Sequence, residues 1–226
     1  MLQILLPQED GSFSLGSMGY YILIAVLLAI ILLSAVIVDR RQKTAKFSIK
    51  QLAVCGVCLA LGFLLSYIGP KMPYGGRVTV FSMFIICLAG YFYGIRVGLL
   101  TAFAYSILQF IQSGGSYMLT PLQVLCDYFF AFTALGITGF FYKKEKKLIL
   151  AYLLAILARG LFHTIGGYLY WMDYMPDNFP KSLAAIYPIV YNYSYILAEG
   201  VITVLVLCIP AVKKMLKKLQ ALATEN

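Results

Sequence analysis

Seven long apolar runs, separated by short polar segments, organise the chain: Gly19–Val38, Phe47–Ile68, Val78–Tyr93, Val97–Gln112, Leu122–Tyr142, Leu148–Trp171 and Ile186–Val212. A helix of about 20 apolar residues crosses the ~30 Å hydrocarbon core of a bilayer, so each run reads as a membrane span, with Val78–Tyr93 and Val97–Gln112 short ones. The predicted fold is therefore an all-α integral membrane protein of seven spans. Positive charge follows the first run, in Asp39-Arg-Arg-Gln-Lys43, rather than preceding it as in a cleaved signal peptide. That run is expected to be an anchor with its N-terminus outside.

Basic residues then fall at alternate breaks. Arg40, Arg41, Lys43, Lys46, Lys50, Arg96, Lys143, Lys144, Lys146, Lys147, Lys213, Lys214, Lys217 and Lys218 are fourteen of the eighteen lysines and arginines. All lie inside if the chain runs N-out, C-in, leaving only Lys71, Arg77 and Lys181 outside and Arg159 within a span, as the positive-inside rule requires. The opposite breaks are rich in turn formers. The segment Gly69-Pro-Lys-Met-Pro-Tyr-Gly-Gly-Arg77 carries two prolines and two adjacent glycines, and Met172–Ser182 is a polar loop.

Composition supports this picture. The 226 residues are 62% hydrophobic and 12% charged, against about 45–50% and 25% in a soluble domain. The net charge of +9 is a topology signal and a contact for anionic lipid, not a nucleic-acid surface. Cys55, Cys58, Cys87, Cys126 and Cys208 all sit in apolar runs and imply neither a disulfide framework nor a metal site.

Ionisable groups at membrane depth are costly, so each is a candidate functional residue. Asp127 stands near the start of one run, with Gln123 four residues before it. Arg159, His163, Gly167 and Trp171 follow one another at i+4 spacing and share a helical face. Gly166 and Gly167 remove bulk beside that face, which lets a flat ligand approach the backbone. Tyr187, Tyr191, Asn192 and Tyr195 line the start of the last run. One carboxylate, one imidazole, one amide and several aromatic rings suit a small, flat, cationic heteroaromatic, since aromatic faces attract cations by about 0.5–2 kcal/mol. Each residue has a structural reading too. Asp127 pairs with Arg159 in one, His163 is a helix-contact histidine in another, and the tyrosines form an interfacial belt. Glu199 is left without a role. Enzyme chemistry finds little footing: no Walker-type phosphate loop, no paired histidines and no nucleophile elbow are present.

Three blocks carry a resemblance to a known family. They are Met72-Pro-Tyr-Gly-Gly-Arg-Val-Thr-Val-Phe-Ser-Met83, Thr120-Pro-Leu-Gln-Val-Leu-Cys-Asp-Tyr-Phe-Phe-Ala-Phe132, and Arg159-Gly-Leu-Phe-His-Thr-Ile-Gly-Gly167 with Tyr187-Pro-Ile-Val-Tyr-Asn192. From about Ile49 to Val212 the chain resembles the thiamine-specific substrate-binding (S) component of energy-coupling factor (ECF) vitamin transporters. The resemblance implies a six-helix bundle at residues 47–212. Residues 1–46 add an extra anchor with a basic cytoplasmic linker, and residues 213–226 form a basic cytoplasmic tail. It implies high-affinity thiamine binding near the outer face of the cell membrane, no cofactor, and ATP hydrolysis by partners: a membrane coupling protein and two cytoplasmic ATPases.

Carried over by position, Tyr117, Asp127, Tyr128, His163, Gly167, Trp171, Tyr187 and Asn192 become ligand contacts. Tyr74, Gly75, Gly76 and Arg77 become a lid. The small-residue face Ala53, Gly56 and Ala60 becomes the surface that docks the coupling protein, without a clean Ala-x-x-x-Ala. Arg77 departs from the family pattern. A positive charge beside a cationic ligand is unfavourable, so Arg77 either points away or the ligand differs. Alternative functions are an S component for another vitamin or pyrimidine precursor, or a stand-alone membrane enzyme acting on a lipid.

Overall fold

Helices whose ends alternate between two faces place Asp127, Tyr128, His163, Gly167, Trp171, Tyr187 and Asn192 at one end of a bundle. The computed structural model describes residues 5–7, 13–15, 47–72, 75–114, 118–144 and 146–224. The expected anchor Gly19–Val38 lies outside these residues, as do Tyr74 and Tyr117. Two compact units are distinguished: Met1–Lys46 with Thr120–Leu122, and Phe47–Leu119 with Gln123–Asn226. Near the N-terminus, β1 (Leu5–Pro7) and β2 (Phe13–Leu15) form an antiparallel pair, with Leu6 opposite Ser14. The all-α expectation does not include this pair; three residues are too few for strand alternation to be legible.

The second unit is helical. It comprises α1 (Ile49–Leu65), α2 (Ser82–Tyr93), α3 (Ile95–Gln112), α4 (Pro121–Phe141), α5 (Leu148–Tyr170), α6 (Tyr187–Cys208) and α7 (Pro210–Thr224). Helices α3, α4, α5 and α6 are long and apolar enough to cross a membrane, and α1 and α2 are shorter apolar helices. Ile86, Tyr105, Leu135, Tyr152, Ile156 and Ile196 are fully buried between them. Large apolar residues such as Leu61, Leu100, Leu161 and Leu205 stand exposed on the outside, where a soluble protein would carry charge and lipid makes no such demand.

Local chemistry sets the boundaries. Ser48 and Gln51 start α1 with a reciprocal capping box, each side chain bonded to the other's backbone N–H at 3.1 Å. Helices α2 and α3 are separated by Gly94 alone, at φ +95°, a conformation a side chain disfavours. A Cβ on Gly98 would lie 2.6 Å from the Gly136 carbonyl oxygen. Helices α3 and α4 therefore meet backbone to backbone, as small residues allow in membranes. The last span is expected to run to Val212, but it ends at Cys208. Ile209 is extended (ψ 125°) because it precedes Pro210, and a residue before proline avoids the helical region. The chain resumes as α7, whose Leu216 and Ala223 enter the core while its four lysines stay exposed. Tyr93 Oη donates to the Ala223 carbonyl at 3.0 Å, tying α7 to the end of α2.

Helix α2 has no side-chain cap of its own. Phe81, before it, is left-handed (φ 60°). The cap comes from α6: Glu199, 1% exposed, accepts the Met83 N–H at 3.0 Å and the Thr79 hydroxyl. A carboxylate there also complements the positive end of the helix dipole. This is the structural role that Glu199 lacks in the sequence.

Candidate functional site

A cavity of about 370 Å³ opens at the end of the bundle where α1, α3 and α5 finish and α2, α4 and α6 begin. Its size lies within the roughly 300–1,000 Å³ of small-molecule sites. Every helix from α2 to α6 contributes, through Ser82, Gln109, Asp127, His163 and Asn192 among others, and Ser66 joins them from just beyond the end of α1.

Asp127 is the centre of the polar lining. It sits in a π-helical turn, Leu125–Phe130, within α4. The wider turn brings successive side chains closer in azimuth, so that Asp127 and Tyr128 both face the cavity; such turns concentrate at functional sites. Gln123 Nε2 donates to Asp127 Oδ2 at 2.6 Å, one turn before, and Trp171 Nε1 donates to the same oxygen at 2.9 Å. His163 Nδ1 lies 3.3 Å from Oδ1. Gln123 itself is held by accepting the Leu119 N–H at 3.1 Å. Gly166 makes this arrangement possible, since a Cβ there would come within 2.6 Å of Asp127 Oδ1.

The α5 face appears as the i+4 spacing predicts, with one change of partner. Arg159 does not pair with Asp127, because His163 lies between them. Arg159 Nε donates to His163 Nε2 at 3.4 Å, and its guanidinium lies 4.3 Å from the Phe132 ring centroid. Both ring nitrogens of His163 are thus engaged within the protein. The space beside Gly167 is taken by Pro188 and Asn192, although Gly167 also lines the cavity. Asn192 Nδ2 donates to the His163 carbonyl at 3.1 Å and the Pro188 carbonyl at 2.8 Å, and its Oδ1 accepts the Tyr195 hydroxyl at 3.0 Å. The amide joins the start of α6 to α5, and Oδ1 keeps one lone pair. Aromatic rings continue the wall: Tyr187 lies 5.9 Å from Tyr191, which lies 5.8 Å from Tyr195.

The glycine-pair loop folds over this wall as a small hairpin. Lys71 and Arg77 pair across it, Met72 N–H donates to the Gly76 carbonyl at 2.7 Å, and Val78 N–H to the Pro70 carbonyl at 3.1 Å. Gly76 N–H donates to Tyr191 Oη at 3.2 Å, and a Cβ on Gly76 would lie 2.9 Å from the Tyr195 ring. Gly75, Gly76 and Arg77 all line the cavity. The difficulty posed by Arg77 is met by its partners. Its Nη1 donates to the Tyr67 carbonyl at 2.6 Å, just beyond the end of α1, where the helix dipole is negative.

Asp127, Tyr128, His163, Gly167, Trp171, Tyr187 and Asn192 thus come together around one cavity, drawn from three separate stretches of sequence. Ala53, Gly56 and Ala60 do not. They lie exposed on the outer face of α1, and no described residue stands within 4 Å of a Cβ placed on Gly56. Tyr105, Phe132, Thr79 and Ser82 line the cavity without being anticipated, because in an apolar run they are indistinguishable from core residues. Gln109 and Gln112 carried a polar signal, and Ser66 joins them: Gln109 Nε2 donates to Ser66 Oγ at 3.0 Å, and Ser66 Oγ to Gln112 Oε1 at 2.9 Å.

Comparison with known proteins gives three findings. The family profile described as thiamine transporter protein (Thia_YuaJ) matches residues 52–219. The thiamine transporter ThiT of Bacillus subtilis (strain 168) is 32% identical over 152 residues, covering 62% of this chain and 77% of the relative. The solved structure of ThiT from Listeria monocytogenes superposes with a TM-score of 0.57 over 70% of this chain and 90% of that one, at 22% identity, a likeness of fold.

Proposed function

The chain belongs to the thiamine transporter protein (Thia_YuaJ) family, and from that premise we propose that the cavity around Asp127 captures thiamine for uptake across the cell membrane. The protein is a multi-pass membrane transporter and not an enzyme. The observation that carries the reading is the state of Asp127. It is a carboxylate at the cavity, held by Gln123, Trp171 and His163, with no lysine or arginine paired to it among the described residues. That leaves its charge for a ligand cation, and thiamine supplies one in its thiazolium ring.

In this reading Asp127 faces the thiazolium, while Trp171, Tyr128 and Tyr187 pack against the rings. His163 and Asn192 act chiefly by holding Asp127 and the start of α6. Gly75, Gly76 and Arg77, with Tyr74, close the cavity as a lid, and Tyr117 joins the wall. Seven spans run N-out and C-in, so that the cavity opens outside and the lysine-rich end faces the cytoplasm. The protein serves as the S component of an ECF transporter, with a membrane coupling protein docking on Ala53, Gly56 and Ala60 and two cytoplasmic ATPases supplying energy.

Thiamine titration of the detergent-purified protein tests the reading, followed by fluorescence of the only tryptophan, Trp171. Saturable quenching by thiamine and none by riboflavin is the expected result. No fluorescence change, together with no heat in calorimetry, would overturn the thiamine assignment.

A further inference from the structure

His163 makes two hydrogen bonds with its ring, and only one placement of its proton satisfies both. Arg159 Nε, one turn earlier on α5, lies 3.4 Å from His163 Nε2. A guanidinium nitrogen donates and never accepts, so Nε2 is the accepting nitrogen of the imidazole. The proton then sits on Nδ1, 3.3 Å from Asp127 Oδ1, and is donated to the carboxylate. The reverse tautomer would oppose two N–H groups at one nitrogen and two lone pairs at the other.

We propose that Arg159 is a positioning residue that fixes the His163 proton on Nδ1 and so holds Asp127 as an anion bound only by neutral donors. The proposal rests on the reading of this cavity as a thiamine site and adds to it the reason a cation stands inside a pocket for a cation. A histidine protonated at both nitrogens would cancel the charge of Asp127. With Arg159 occupying Nε2, the imidazole remains a neutral donor, like Gln123 and Trp171, and the carboxylate keeps its full charge for the ligand. The sequence gap of four between Arg159 and His163 is what α5 needs to bring the two together.

Arginine suits this task better than lysine. Its guanidinium carbon lies 4.3 Å from the Phe132 ring centroid while Nε reaches one turn along the helix to His163. Arg159 is 8% exposed. Around the pair, α4 contributes Asp127, and α6 contributes Tyr195, whose ring lies 6.1 Å from that of His163. Helix α6 also contributes Glu199, within electrostatic reach of Arg159. Glu199 is tied to Thr79 and Met83 at the start of α2.

The protein has one histidine, so ¹⁵N-histidine labelling gives a single pair of ring signals, read in the ligand-free protein in detergent. The wild type is expected to show Nδ1 protonated and Nε2 bare at neutral pH. Arg159→Met removes the donor. It is expected to shift the proton to Nε2 or to a mixture of both sites, and to weaken thiamine binding about ten- to hundredfold. Arg159→Lys, which keeps a donor, is expected to retain the wild-type tautomer and most of the affinity. An Nε2-protonated wild type, or an Arg159→Met protein with the wild-type tautomer, would overturn the proposal. Should Arg159→Met not fold, the wild-type and Arg159→Lys spectra decide it. The spectra need no ligand. A protein with the expected tautomer that binds no thiamine would therefore refute the function above and leave the role of Arg159 standing.

Discussion

At the residue scale, two acidic side chains in the same bundle do different work because their surroundings differ. Asp127 faces the cavity, while Glu199 is buried away from it and its oxygens accept from Thr79 and Met83 at the start of α2. Substituting Asp127→Asn keeps the shape and removes the charge. Thiamine affinity is expected to fall by about 2–5 kcal/mol, the cost of deleting one partner of a buried charge pair, or roughly 30- to several-thousand-fold in Kd; calorimetry measures it, and unchanged affinity removes Asp127 from the site. Glu199→Ala acts on the fold instead. It strands the Met83 N–H in the interior, at about 1–3 kcal/mol for the unpaired group, and leaves the Thr79 hydroxyl with Ser82 alone. Thermal unfolding in detergent should show a lower Tm, and an unaltered Tm would mean that α2 starts without this cap.

At the scale of elements, the hairpin carrying Gly76 and the first turns of α6 are in contact. Gly76 lies against Tyr191 and Tyr195 with no room for a side chain. Gly76→Val is expected to lift the hairpin and break the Gly76 N–H bond to Tyr191. Losing that bond alone is worth about 0.5–1.5 kcal/mol, which corresponds to roughly two- to tenfold faster thiamine release. A fluorescence chase on Trp171 reads the rate, and wild-type release would show that the hairpin does not retain the ligand. Helix α2, which follows the hairpin, has 12 residues. The chain spends the preceding stretch crossing the cavity mouth, then enters a helix that depends on α6 for its cap.

For the whole molecule, the cavity and the exposed α1 face are separate surfaces, and the docking role proposed for the second can be tested apart from the first. Ala53, Gly56 and Ala60 point away from the core, and a Cβ at Gly56 has open space around it among the described residues, so Gly56→Leu is the substitution that tests this face. It is expected to leave folding and thiamine binding unchanged and to abolish ATP-driven uptake in cells that carry the partner proteins. Retained uptake would move the docking surface elsewhere.

Much of this architecture is legible without coordinates, and the reason is the solvent. Lipid requires each spanning helix to be continuously apolar and each charge within it to be justified. The spans, the basic end, and the candidacy of Asp127, His163 and Trp171 can therefore be read from residue order alone. The i+4 spacing along α5 and between Gln123 and Asp127 is local, and helix geometry carries it into the structure unchanged. Tertiary structure alone decided which polar group meets which. Whether Arg159 would reach Asp127 or stop at His163, whether Arg77 would face the ligand or the end of α1, and what Glu199 was for all depended on contacts between residues tens of positions apart. The π-helical turn Leu125–Phe130 of α4 belongs with them, whereas the end of α6 at Cys208 follows from Pro210 and is local. Apolar periodicity records that a face is buried, but not its neighbour, and the chemistry of this cavity resides in the neighbours.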